Sequence, residues 1–147
     1  MHGFGASPPT VFDNISLVRA GGHFWGQQTF PALWVFSSSK VFQGIRVSNL
    51  DIVDPTYSGI MFQTGYSSPT TPLNPVKDTT FTNVSISGAQ KSGDAFDAKS
   101  GFGIWVNELP EPGQGPAVGS ATFTGLRFSG NAQNIRNTTS TFTLTIN

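Results

Sequence analysis

One six-residue phrase, Phe-x-(Asn or Gly)-apolar-x-apolar, is written four times along this chain of 147 residues. It reads Phe12-Asp13-Asn14-Ile15-Ser16-Leu17, Phe42-Gln43-Gly44-Ile45-Arg46-Val47, Phe81-Thr82-Asn83-Val84-Ser85-Ile86 and Phe123-Thr124-Gly125-Leu126-Arg127-Phe128. Recurrence at a near-regular interval marks a repeat architecture and constrains the fold more than any local propensity does. The four phenylalanines lie 30, 39 and 42 residues apart, inside the range of about 20–45 residues per solenoid unit. Asn and Gly, which share the third slot, are the two residues that most readily hold a positive φ. Each copy therefore predicts a left-handed corner with Phe before it and a short strand after it. The triplet that follows has period two, so both its apolar side chains point to one face. Stacked copies would bring Phe onto Phe, and would set Asn14 and Asn83 in corresponding corners, where side-chain amides can bond to neighbouring levels.

A second apolar run follows each copy: Ala32-Leu33-Trp34-Val35-Phe36, Gly59-Ile60-Met61-Phe62, Gly103-Ile104-Trp105-Val106 and Phe142-Thr143-Leu144-Thr145-Ile146. Runs of four or five residues rich in β-branched and aromatic types favour strands over helices. An antiparallel sandwich also uses many short strands, but it does not repeat one phrase four times. The expectation is an all-β parallel β-helix of about four rungs over residues 11–147, preceded by an irregular segment, residues 1–10. No polar cap is visible at either end of the repeat, so the chain reads as the tail of a longer solenoid. Its open N-terminal rung is a candidate surface for self-association.

Charged residues make up only 11% of the chain and balance to zero, with no basic run. Nucleic acid and anionic membrane both need a clustered positive surface, so neither is an expected partner. No segment approaches the ~20 apolar residues of a membrane span, and residues 1–10 lack the pattern of a signal peptide. Cysteine is absent, which removes disulfides and thiolate metal sites. The two histidines, His2 and His23, are too far apart for a metal site of the usual spacing, and no motif calls for a cofactor. A neutral surface rich in Ser, Thr, Asn and Gly suits a neutral polysaccharide.

Residues that do not repeat fall in the loops between strands. Residues 19–28 hold His23, Trp25 and Gln27 among glycines; aromatic faces stack on sugar rings and Gln or His supplies hydroxyl partners. The reading that comes slightly ahead is a flank cover, with Phe24 and Trp25 over the side of the helix and His23 packed on them. In residues 51–59, Asp51 and Asp54 could orient a water or bind a cation, although an Asp before Pro is ordinarily a turn residue; Tyr57 closes this segment. Residues 92–101 carry Asp94 and Asp97. Paired carboxylates are what glycoside hydrolysis uses, about 5–5.5 Å apart for retention and about 6.5–9.5 Å for inversion. In a strand these two would face opposite ways, so they are only weak catalytic candidates, to be brought together by an irregular loop. Residues 107–116 form a Pro- and Gly-rich excursion with Glu108 and Glu111 expected in solvent, and could wall a cleft. The Asn-x-Ser/Thr patterns at Asn14 and Asn83 fall in the corner position and read as structural.

Several of these segments are similar to those of a known family. Gly21-Gly-His-Phe-Trp-Gly-Gln27 with Ala32-Leu-Trp-Val-Phe36, Ile52-Val-Asp-Pro-Thr-Tyr-Ser-Gly-Ile-Met-Phe-Gln63, Ser92-Gly-Asp-Ala-Phe-Asp-Ala-Lys-Ser-Gly101 and Gly103-Ile-Trp-Val-Asn-Glu-Leu-Pro110 resemble the closing rungs of bacterial α-1,3-glucanases. These form the mycodextranase-like group, glycoside hydrolase family 87. The resemblance covers most of the chain from about Val11. It implies a right-handed parallel β-helix of the pectin lyase-like kind and an endo-acting, secreted hydrolase of α-1,3-glucan from fungal wall or bacterial exopolysaccharide. It also implies that the catalytic aspartates lie on rungs upstream, so that this chain is inactive alone and no aspartate here takes a catalytic role by motif. His23, Trp25, Gln27, Tyr57, Asp94 and Asp97 are then the candidate glucan contacts. Two rival readings are a non-catalytic glycan-binding or adhesin-type solenoid and a pectin-cleaving polysaccharide lyase. The lyase would need a basic cluster beside its acidic loops, which the sequence lacks.

Overall fold

A computed structural model of the chain describes residues 8–24, 28–40, 42–110 and 113–147. In chain order the described strands are β1 (Thr10–Val18), β2 (Gly22–Phe24), β3 (Gln28–Phe30), β4 (Leu33–Ser37), β5 (Ile45–Val53), β6 (Ser58–Ser68), β7 (Thr71–Pro72), β8 (Thr79–Ser87), β9 (Phe102–Val106), β10 (Gln114–Gly115), β11 (Gly119–Ser129), β12 (Gln133–Asn137) and β13 (Phe142–Ile146). One short 3₁₀ turn, Asp97–Lys99, is the only helical segment among the described residues, and none of them forms a helix able to cross a membrane.

The long strands fall into two sheets. The first has the order β1-β5-β8-β11-β13 and the second runs β4-β6-β9-β12, and every pair in these two paths is parallel. The chain visits the two sheets alternately and advances one strand each time. Each pair of visits is one level of the stack. The strands β7 and β10 pair antiparallel with the long strand β6, and β2 with β3 forms a separate hairpin. All-β structure with strands stacked in parallel is what the repeat predicted, and the first three levels each carry two apolar strands.

Register in the first sheet shows why the phrase recurs. Phe12, Val47, Phe81 and Phe123 share one column, and Ile15, Leu50, Val84 and Leu126 share the next. Between these columns sit Asn14, Asn49, Asn83 and Gly125, all left-handed, with φ of 57°, 52°, 54° and 69°. The second copy of the phrase is therefore out of register with the other three. Its true equivalent begins at Val47, not Phe42, and the first two levels are 35 and 34 residues apart. Gly44 does hold a positive φ, but at the corner before β5, where Asp78 occupies the same place before β8. A further left-handed column, Arg19, Asp54, Gly88 and Gly130, ends the strands. Asp54 is thus a turn residue, and Asp51 lies within β5 and accepts from the Ser85 hydroxyl of the next level.

The last apolar run also changes place. Phe142–Ile146 is the fifth strand of the first sheet, paired with Gly119–Phe123. The strand that completes the second sheet is the polar Gln133–Asn137, of which only Ile135 packs into the shared core. Its low apolar content hid it from a reading based on hydrophobic runs.

One continuous core fills the space between the sheets. Phe81 and Phe123 stack at 4.5 Å between ring centroids and 9° between planes. Phe62 arrives from the second sheet and meets both edge-on, while lying 4.8 Å from Phe142. Such pairs contribute about 0.5–1.5 kcal/mol each beyond area burial. At the β1 end the interior is less protected: Phe12, Ile15, Leu17 and Leu33 are only partly buried.

The expectation that corner amides bond between levels holds. Asn83 Nδ2 donates to Asn49 Oδ1 (2.6 Å), and Asn49 Nδ2 donates to Asp13 Oδ1 (2.9 Å). Arg127 Nη1 closes the row by donating to Asn83 Oδ1 (2.9 Å). Asn83 therefore serves twice, by its conformation and by its amide. Replacing it with Gly should lose only the amide bonds, about 1 kcal/mol. Replacement with Val should also force a branched side chain into the left-handed region, for a total of about 2–4 kcal/mol. Urea denaturation of the two variants checks the order, and equal losses would mean that the backbone is not the constraint.

Candidate functional site

Three elements distant in sequence bring His23, Tyr57 and Asp94 together. His23 lies in the β2–β3 hairpin opposite Thr29. Tyr57 precedes β6, where the Gly101 N–H donates to its carbonyl at 2.7 Å. Asp94 belongs to the loop between β8 and β9. That loop is closed by its own polar groups: the Ser92 N–H donates to Ser100 Oγ, the Ser100 hydroxyl donates to the Asp97 carbonyl, and the Gly93 N–H donates to Asp97 Oδ1. Asp97 is thus turned into its own loop.

The Tyr57 hydroxyl donates to Asp94 Oδ2 at 2.8 Å and lies 3.0 Å from His23 Nδ1. A hydroxyl that donates to a carboxylate can only accept from the imidazole. In this arrangement Nδ1 carries the proton, and Nε2 is the ring atom left for an outside partner. Phe96 stacks on the His23 ring at 5.3 Å and 27°, and meets Tyr57 edge-on at 6.1 Å. Tyr57 is 2% exposed, whereas His23 and Asp94 are exposed. The histidine packs on Phe96, from a loop 73 residues away. Trp25 and Gln27 lie outside the described residues.

Burial, followed by the Asp94 carboxylate, pushes the Tyr57 hydroxyl pKa up and keeps it a donor. Asp94 is held below the ordinary carboxylate range, first by the Ser92 hydroxyl at 2.7 Å and then by the Phe96 N–H and Tyr57, against an opposing effect of burial. Such a group is a fixed anion at neutral pH, suited to accepting hydrogen bonds. A proton-donating acid in glycoside hydrolysis needs the opposite shift. Among the described residues no group of three or more His, Asp or Glu is placed to hold a metal ion.

A second polar cluster was missed by sequence reasoning. Glu108 was expected in solvent, yet it accepts from Trp105 Nε1 and Arg136 Nε, each at 2.7 Å, and its side chain is only 17% exposed. Arg136 also lies 5.4 Å from the centre of the Phe102 ring. The signal lies only in register: Arg136 pairs with Trp105 across β12 and β9, and β12 has no apolar run to mark it. Glu111 lies outside the described residues.

Stacked parallel sheets thus carry an aromatic-backed polar chain on their flank. The chain matches, over residues 1–143, the family model described as alpha-1,3-glucanase catalytic domain D2, and it belongs to that family. It is similar to the solved catalytic domain of a glycoside hydrolase family 87 α-1,3-glucanase in complex with nigerose, at 27% identity and a TM-score of 0.75. A variant of that catalytic domain in complex with tetrasaccharides is similar at 28% identity and a TM-score of 0.72. Both alignments cover 93% of this chain and 24% of the solved one, so the chain spans about a quarter of their length. No curated protein matches it.

The Glu108 cluster sets a pH dependence. Burial acts to raise the Glu108 pKa, but Arg136 and the Trp105 N–H outweigh it, and the carboxyl sits below its ordinary value. The resulting stabilisation is complete above the unfolded-state value of about 4.3 and is lost as pH falls through the lower folded value. Glu108→Gln should cost about 1–2 kcal/mol at pH 7 and flatten that acid limb. Thermal melts of both proteins from pH 7 to pH 3 would show it, and parallel profiles would deny Glu108 the role.

Proposed function

We propose that this chain is the C-terminal part of the right-handed parallel β-helix of a secreted, endo-acting α-1,3-glucan hydrolase. In this reading it contacts the glucan while the catalytic aspartates reside on preceding rungs. The observation that carries it is the His23–Tyr57–Asp94 chain backed by Phe96. Its buried hydroxyl, fixed carboxylate and the His23 Nε2 can orient a sugar hydroxyl. Asp94 is engaged by three donors and Asp97 by its own loop, so neither is poised as a hydrolytic acid. Alternation between two parallel sheets supports the coil, and the half-buried interior beside β1 supports a further rung below it. Membership of a glucanase family favours hydrolysis over lyase chemistry. The substrate is an extracellular polymer, which agrees with secretion.

The purified, folded chain should co-sediment with insoluble α-1,3-glucan and release no reducing ends. Tyr57→Phe, which removes both hydrogen bonds of the chain, should lower the bound fraction severalfold. Released sugar would overturn the upstream placement and make Asp94 and Asp97 the first residues to replace. Absence of binding would overturn the contact role. The exposed β1 edge should also draw copies of the chain together. Size exclusion with light scattering should show species above the 15.6 kDa monomer that grow with concentration, and a monodisperse monomer would refute this association.

A further inference from the structure

We propose that the His23–Tyr57–Asp94 chain is a charge filter, in which Asp94 makes the contact select uncharged sugar units over anionic ones. The inference rests on the α-glucan reading above and names what that same site turns away: uronates, and sugars that carry sulfate or phosphate.

Every polar hydrogen of the three side chains is turned inward. The single hydroxyl hydrogen of Tyr57 goes to Asp94 Oδ2 at 2.8 Å, so the Tyr57 oxygen receives the Nδ1 hydrogen of His23 at 3.0 Å. That leaves His23 Nε2 as a lone-pair acceptor. Both oxygens of Asp94 are acceptors already: Oδ1 receives from Ser92 Oγ at 2.7 Å and the Phe96 N–H at 2.8 Å, and Oδ2 receives from Tyr57. Toward a ligand the chain therefore presents acceptors and no donor. A sugar hydroxyl can donate to it. An ionised carboxylate, sulfate or phosphate is itself acceptor-only, so it finds no hydrogen to receive.

Charge adds to that mismatch. Among the described residues Asp94 is exposed and joins no ion pair. Lys91, from the same loop, is committed elsewhere: its Nζ donates to the Asp97 carbonyl at 3.0 Å and lies 4.9 Å from the centre of the Phe102 ring. Asp97 adds a second carboxylate to the loop, turned to the Gly93 N–H. A negative group brought against Asp94 meets like charge, and like-charge juxtaposition is one way a site rejects the wrong partner.

The filter is set before a ligand arrives. Ser92 and the Phe96 N–H hold the Asp94 carboxylate within its own loop, and Phe96 stacks on the His23 ring at 5.3 Å. A flip of the imidazole would break the bond from Nδ1 to Tyr57. A neutral glucan, whose units carry hydroxyls and no charge, passes; an acidic polysaccharide on the same backbone does not.

Two-dimensional ¹H–¹⁵N NMR of the whole chain, followed at the His23 and Phe96 amides, tests the filter with two probes. One is a set of neutral α-1,3-linked gluco-oligosaccharides, and the other is the same set oxidised at C6 to uronates. The neutral probe should bind more tightly by about tenfold or more. Asp94→Asn keeps the shape of the side chain and removes its charge, and should narrow that ratio by about threefold or more. The ratio is the readout because a merely structural loss at Asp94 would weaken both probes alike. Raising salt from about 0.05 M to about 0.5 M should narrow it in the unaltered chain as well, since screening weakens the repulsion. An unchanged ratio in high salt would overturn the filter even where Asp94→Asn fails to fold. A ratio that survives Asp94→Asn in the folded variant would place the discrimination elsewhere and overturn it too. Equal binding of the two probes, or tighter binding of the uronates, would overturn the filter and leave the proposed function standing. Failure of both probes to shift either amide would overturn the proposed function, and the filter with it.

Discussion

Parallel register between successive strands of the first sheet is the constraint from which the rest of the molecule follows. A slip of one residue would turn Phe81 and Val84 out of the core and drive Thr82 and Ser85 into it. Register is pinned by left-handed backbone at fixed places, because a column of positive φ cannot be shifted onto residues that do not tolerate it. Asn14, Asn49, Asn83 and Gly125 form one such column, and Arg19, Asp54, Gly88 and Gly130 form another. Between the two, each strand delivers its apolar residues to the same heights. That is why Phe81 lies on Phe123 and why Phe62, from the opposite sheet, finds both rings edge-on.

The candidate site is arranged around that regularity by what departs from it. Strand β6 is the longest strand of the second sheet, and it carries Tyr57 just before its start and Tyr66 near its end. Loops of unequal length place His23 and Asp94 at one end and the proline-rich segment after β9 at the other. The stack supplies rigid anchoring points, and the loops bring chemistry to them. This division matches the general expectation that binding groups sit on loops held by a stiff scaffold.

The architecture was legible because it is written several times. Three of the four copies of the phrase, the corner residues Asn14 and Asn83 and three of the four second-sheet strands could be read directly. What could not be read depended on pairing. Gly44 looked like the third slot of the phrase because a corner before β5 also needs positive φ, so two different corners carry one local signature. The polar strand Gln133–Asn137 gave no apolar run, since only one of its residues packs into the core and Arg136 turns outward to Glu108. Asp94 was visible as an isolated carboxylate, but its link through Tyr57 to His23 spans 37 and 34 residues. No spacing rule within one loop predicts that contact.

The row of corner amides has an electrical consequence. Backbone hydrogen bonds between strands point up and down the stack in alternation, so their dipoles largely cancel. The side-chain amides of Asn49 and Asn83 do not alternate: each turns its N–H toward the β1 end and its carbonyl toward the β13 end. One end of the row meets the Asp13 carboxylate and the other meets the Arg127 guanidinium. The charges complement the polarity at both ends, as acidic and basic residues do at the two ends of a helix. A sheet stack, ordinarily indifferent to which way is up, thereby acquires an axis with a sign.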